Sequence, residues 1–176
     1  IIQSDDTNVV IGCGPNIPAK LDAIGVGFSK VEMWILLSCG MDQIGGLVEV
    51  GKRRGTSSRS YLVGPQSVLT QVGNVYKELT GDPLTRDFIT RPSLKVGINE
   101  EHFRETIKFL PCHASQHALP EYSAFFETSR VLISGDSGMD EGLLAEAGSQ
   151  AEIILHSCST HPGGGKTGSP QIKDLQ

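Results

Sequence analysis

Apolar positions recur along the chain in short blocks, some continuous and some at helical spacing, separated by glycine and proline. Asn8-Val-Val-Ile-Gly12 is a β-type run that ends in the turn signal Gly12-Cys-Gly-Pro15. Pro18 to Ile24 follows as a helix, with proline suited to its first turn and Gly25 to its end. Val31-Glu-Met-Trp-Ile-Leu-Leu37 is apolar on both faces, the mark of a central strand covered on two sides. It runs into Ser38-Cys-Gly-Met-Asp-Gln-Ile-Gly-Gly46 and then a short helix with a basic end, Leu47 to Arg54. Ser60 to Gly64 is a further strand, and Pro65 to Leu79 carries Val68, Val72, Val75 and Leu79 at helical spacing. Gly81 to Pro92 reads as irregular, Ser93 to Gly97 as strand-like, and Asn99 to Glu105 as a turn. Thr106 to Pro111 alternates and leads into Cys112-His-Ala-Ser-Gln-His117; Tyr122 to Glu127 is a hairpin strand.

The last third holds the most informative stretch. Val131 to Ile133 is a buried-type strand that stops at Ser134-Gly135-Asp136, where glycine permits a sharp turn before a carboxylate. Met139 to Ala147 has Leu143, Leu144 and Ala147 at helical spacing, and a second apolar run, Ala151 to Leu155, ends at His156. The order is strand, carboxylate, helix, strand, histidine: a βαβ unit with polar groups at its strand ends, where α/β folds build sites. Asp136 as a plain helix cap is the alternative reading. With no repeat, linker or low-complexity tract, residues 1–176 read as one α/β domain.

Composition narrows the class. A net charge of −5 argues against a general nucleic-acid surface. Cys13, Cys39, Cys112 and Cys158 are scattered with no CxxC pair, which reads as reduced thiols in a cytoplasmic protein. No apolar run reaches membrane-spanning length and no signal pattern opens the chain. The 21 glycines suit a fold rich in sharp strand-to-loop turns.

Taken in order, these pieces resemble the metallo-β-lactamase fold, in the branch shared by tRNA 3′-processing ribonuclease Z and the bacterial cyclic-phosphate phosphodiesterases. Asn8 to Gly14 is similar to the family's strand ending in Asp-Cys-Gly, and Leu21 to Lys30 to its Leu…Gly…Lys helix and turn. Trp34 to Leu37 resembles the strand before the metal motif, and Ile44-Gly-Gly-Leu47 the tail of that motif. His117-Ala-Leu-Pro-Glu-Tyr122 resembles the second ligand segment, Leu132-Ile-Ser-Gly-Asp-Ser137 the bridging-carboxylate motif, and Ile153-Ile-Leu-His-Ser157 the later His-Glu strand. The resemblance implies a four-layer αβ/βα sandwich. A chain that opens without Met and stops soon after Ile172 is expected to be incomplete at both ends.

The residues at the motif positions depart from the family. His-x-His-x-Asp-His falls on Ser38, Gly40, Asp42 and Gln43, so only the aspartate remains; the earlier Asp is Gly12, and the Glu of His-Glu is Ser157. The resemblance leaves Asp42, His117 and Asp136 as matched metal ligands, with His113, His156 and His161 as helpers. That is too few for two ions. The leading expectation is a non-hydrolytic pseudoenzyme that binds a small ligand or a protein partner in the former cleft. The competing one is a metal-dependent, phosphodiesterase-like hydrolase, with Asp42 and His156 in catalysis around one weakly held zinc or manganese ion. Family habit implies a homodimer.

Other signals are weaker. Gly165-Lys-Thr167 matches the end of a phosphate loop, but Thr160 stands where that pattern needs glycine and Gly168-Ser-Pro170 breaks the following helix. Cys39 has no matched base to make it a nucleophile. Lys52-Arg-Arg54 reads as a solvated helix end before it reads as an anion site.

Overall fold

The computed structural model describes residues 1–4, 7–55, 59–92, 95–100, 103–112, 121–134, 142 and 144–156. They fall into two compact units: residues 1–94 with 100–103, and residues 95–99 with 104–176.

The first unit is a five-stranded sheet flanked by helices. Its strands are β1 (Ile2–Ser4), β2 (Thr7–Ile11), β3 (Val31–Ile35), β4 (Ser60–Gly64) and β5 (Phe88–Pro92), in that spatial order. β1 runs antiparallel to β2, while β2, β3, β4 and β5 are mutually parallel. β3 is therefore central, which is what its apolar run predicts: Val31, Met33, Trp34 and Ile35 are buried, and Glu32 is its exposed residue. The parallel crossovers carry α1 (Ile17–Ala23), α2 (Met41–Ile44), α3 (Leu47–Arg54), α4 (Gln66–Thr80) and α5 (Leu84–Asp87). Pro18 lies in the first turn of α1, as expected. α4 ends at Gly81, whose φ of 79° is the left-handed cap conformation.

The structure corrects one expectation in this unit and adds two details. Residues 81–92 are not irregular: they hold α5 and the edge strand β5. An edge strand needs only one partner, so Phe88 and Ile89 suffice to anchor it and Pro92 is tolerated at its end. β1 was not anticipated. The buried row of α4 is Val68, Leu69, Val72 and Tyr76, while Val75 is half-buried and Leu79 is 55% exposed.

The α4 stripe turns toward Tyr76 because that hydroxyl has a partner inside. Tyr76 donates to Asp87 Oδ2 at 2.6 Å, and Arg86 Nε donates to Asp87 Oδ1 at 3.0 Å. Asp87 is 2% exposed, and this network ties α4 to α5 beside Gly51 of α3. Burial alone would raise the Asp87 carboxyl, but the Arg86 and Tyr76 hydrogen bonds and the Arg86 charge outweigh it, holding the group below its ordinary value.

The second unit is a sheet in the order β10-β9-β8-β7-β6, built from β6 (Lys95–Glu100), β7 (Phe103–Pro111), β8 (Tyr122–Phe126), β9 (Val131–Ile133) and β10 (Ile153–Leu155). β7, β8 and β9 are joined antiparallel, whereas β9 and β10 are parallel, as the two strands of the expected βαβ unit require. Its core gathers Leu110, Phe125, Leu132 and Ala147, with Ala151 against them. Residues 99–105 are corrected from a turn: β6 reaches Glu100 and β7 begins at Phe103. Of the helix expected over Met139 to Ala147, residues 144–148 form one π-type turn and residues 139–141 and 143 lie outside the described residues. β9 buries only Leu132 fully, and β10, at the sheet edge, exposes Ile153, Ile154 and Leu155 by 45–53%. An apolar run predicts a buried strand only when layers cover both its faces.

The Asp87 network sets an acid limit on stability. Its folded-state value is depressed, so its contribution is present above the unfolded value of about 3.9 and is lost as pH falls through the folded value. Urea unfolding of Asp87→Ala is expected to show a loss of about 2–3 kcal/mol at pH 7, shrinking as pH falls below the ordinary carboxylate range.

Candidate functional site

β2 and β3 run parallel, so their carboxyl ends open on one edge of the sheet. The loops that leave them are bound together through the backbone. Gly12 N–H donates to Ile35 O at 2.8 Å, Cys13 N–H to Gln43 O at 2.5 Å, and Gly46 N–H back to Cys13 O at 2.7 Å. This approach is possible only because the facing positions lack side chains. A Cβ on Gly14 would overlap the Asp42 carbonyl, and one on Gly46 would stand 2.5 Å from the Gly14 carbonyl.

Side chains complete the closure. Gln43 Nε2 donates to Asp42 Oδ2 at 3.1 Å, and a Cβ on Gly12 would stand 2.6 Å from Gln43 Oε1. Asp42 Oδ1 fills the place that a Cβ on Gly40 would take. Asp42 is exposed in the first turn of α2, while Ser38 and Gln43 are half-buried. Cys39 is buried, and its thiol donates to Gln71 Oε1 at 2.7 Å. Burial and then the Glu49 charge push the Cys13 thiol up to about 12, so the free thiol stays neutral and is a poor nucleophile near pH 7.

In the second unit the parallel register pairs Ile133 with Leu155, so the next two residues, Ser134 and His156, stand side by side. Ser134 N–H donates to Leu155 O at 3.0 Å, and Ser134 Oγ is hydrogen-bonded to His156 Nδ1. Of the expected site residues, Asp42 thus belongs to the first unit and His156 to the second. His117 and Asp136, with the helpers His113 and His161 and the loop at 161–168, lie outside the described residues.

The basic end of α3 is exposed at Lys52 and Arg53, as expected, but its arginines are engaged by neighbours and not left free for an anion. Arg53 bridges Asp22 at 2.9 Å and Glu49 at 3.1 Å and lies 3.9 Å over the Phe28 ring. Arg54 donates to the carbonyls of Phe28 at 3.3 Å and Val31 at 2.5 Å. Sequence reasoning missed these contacts, and missed Gln43 on Gly12; the clustered glycines at 12, 14, 45 and 46 were the available signal.

The comparisons decide the family. A family model described as Anti-Pycsar protein Apyc1 matches residues 1–175. The chain belongs to this Anti-Pycsar Apyc1 family. No curated protein sequence matches it. Among solved structures it is similar to the metallo-β-lactamase fold protein YhfI from Bacillus subtilis, with 19% identity and a TM-score of 0.69, over 96% of this chain and 67% of that one. A diphosphatase of the PhnP family gives 14% identity and 0.72, over 98% of this chain and 64% of that one. The short form of human tRNase Z gives 12% identity and 0.70, over 98% and 76%. The fold is that of the metallo-β-lactamases, and the chain spans between 64% and 76% of the length of these three structures.

The fold family implies a metal centre, and the described residues do not fit one. The strand-end loop of the first unit offers one hydroxyl, one carboxylate hydrogen-bonded to an amide, that amide, and the buried Cys39 thiol, which is turned to Gln71. Zinc is held by thiolate, imidazole and carboxylate, and among the described residues no three His, Cys, Asp or Glu come together. Among those residues no helix is long and apolar enough to cross a membrane.

The Gly14 contact is testable by stability. Gly14→Ala is expected to lower unfolding free energy by about 3 kcal/mol, because the obstructing atom is backbone and cannot swing aside. Gly73→Ala, where a Cβ meets nothing within 4 Å, should stabilise α4 by up to about 1 kcal/mol.

Proposed function

We propose that this Apyc1-family chain binds a phosphodiester ligand of the cyclic-nucleotide class, or a partner in the same cleft, without hydrolysing it. The observation that carries the reading is the loop from Ser38 to Gln43. It presents one carboxylate and no imidazole, and that carboxylate accepts a hydrogen bond from Gln43. A water without strongly polarising cations keeps a high pKa and is a poor nucleophile near neutral pH. Family membership supports the cyclic-nucleotide class of ligand, and the neighbouring diphosphatase and tRNase Z support a phosphoryl-containing one.

A second reading is a hydrolase that uses a reduced site of Asp42, His117 and Asp136 with His156 assisting. Family membership and the exposed carboxylate of Asp42 favour it. The two readings part at Asp42: Asp42→Ala leaves ligand binding unchanged under the first and abolishes turnover under the second.

Elemental mass spectrometry of protein purified without chelator, and again after zinc or manganese, is the first test. A panel of 3′,5′-cyclic nucleoside monophosphates would then be titrated calorimetrically, and the recovered nucleotide checked by chromatography. Trace metal, saturable binding and intact nucleotide are expected. A linear product that disappears with chelator would establish the hydrolase instead, and neither binding nor turnover would remove the cyclic-nucleotide class.

A further inference from the structure

The positions where this chain lacks the family's liganding side chains are not empty. Gly12 and Gly40 leave two spaces at the strand ends, and each is filled by a neighbour: Gln43 Oε1 sits over Gly12 and Asp42 Oδ1 over Gly40. The two filling side chains are joined to each other by Gln43 Nε2 donating to Asp42 Oδ2 at 3.1 Å. The same Gln43 accepts the Cys13 N–H through its backbone carbonyl at 2.5 Å. Gln43 therefore engages the end of β2 twice and its own loop once.

We infer that Gly12, Gly40, Asp42 and Gln43 form one interlocked set in which Gln43 closes the strand ends of the first unit without any ion. A side chain at Gly12 can be admitted only if the Gln43 amide swings away, and swinging away gives up its bond to Asp42. A side chain at Gly40 displaces Asp42 and breaks the same bond from the other end. Reverting one position alone therefore gives up the Gln43–Asp42 bond before it contributes a ligand. The inference rests on this loop and not on the ligand proposed above.

A mutant cycle read by thermal unfolding separates the contact from backbone strain. Gly12 has a φ of +73°, so Gly12→Ala carries a strain penalty in every background. The clash with Gln43 is added only where that side chain is long. The fall in Tm caused by Gly12→Ala is expected to be about twice as large with Gln43 present as in a Gln43→Ala background. Gln43→Met keeps an atom at the reach of Oε1 over Gly12 but has no donor for Asp42, so it should retain the larger fall. If Gly12→Ala prevents folding outright, adding Gln43→Ala is expected to restore it. Chelator should leave the Tm of the unsubstituted chain unchanged. Equal falls in all three backgrounds, failure of Gln43→Ala to rescue, or a Tm lowered by chelator would each overturn the interlock. The cycle can fail while metal content stays at trace level, which keeps its failure distinct from that of the binding reading.

Discussion

Two backbone hydrogen bonds, Cys13 to Gln43 and Gly46 back to Cys13, hold the carboxyl ends of β2 and β3 in one piece. Everything else at this edge follows from how close that brings the two loops. The chains approach within the space of a single methyl group, so Gly14 and Gly46 cannot carry side chains, and the short α2 is pinned at both ends. The sheet makes the approach possible. β3 is buried on both faces and lies between parallel neighbours, so its end, and that of β2, are fixed by the core and not by the loops. A rigid pair of strand ends with tightly packed loops is a scaffold on which side chains can change while the backbone stays.

How far this was legible in the sequence depends on what kind of signal each element leaves. The two-sided run at Val31 to Leu37, the helix over α4 and the parallel β9 and β10 were legible because burial and periodicity write themselves into consecutive residues. β5 was not, since Phe88-Ile-Thr-Arg-Pro92 mixes apolar, polar and proline residues in a way that only an edge position explains. β10 was legible as a strand but not as an exposed one: Ile153, Ile154 and Leu155 say nothing about what lies beside them. At the candidate site, Ser38, Gly40 and Gln43 could be read as absent ligands. That Gln43 and Asp42 occupy the spaces of Gly12 and Gly40 could not, because a glycine announces a turn or a close approach without naming the partner.

The charged groups follow the same division between local and distant information. Lys52-Arg-Arg54 looks like a free basic end when only neighbours in sequence are considered. In the fold Arg53 meets Asp22, some thirty positions earlier, and Arg54 meets the carbonyls of Phe28, in the turn before β3, and of Val31, its first residue. Both arginines fasten the entry of the central strand to α3. The buried Asp87 does the same work between α4 and α5, and its partners are likewise supplied by the helices that it joins. These pairs make the first unit depend on burial and on hydrogen bonds inside the protein.

That dependence bears on how family and fold should be weighed against residues. In a protein whose loops are ordered only by metal, losing the ligands would unravel the site, and the fold's survival would testify to the ion. Here the loops close through Cys13, Gln43 and Gly46, with a core behind them that includes Trp34, Leu47 and Val50. The described loops of the first unit thus close through hydrogen bonds of the protein's own backbone, and a match over residues 1–175 speaks for ancestry and architecture more strongly than for chemistry. The chemistry depends on the donor set at the strand ends, and the described part of that set in the first unit includes one carboxylate, Asp42, which is exposed and accepts a hydrogen bond from the Gln43 amide.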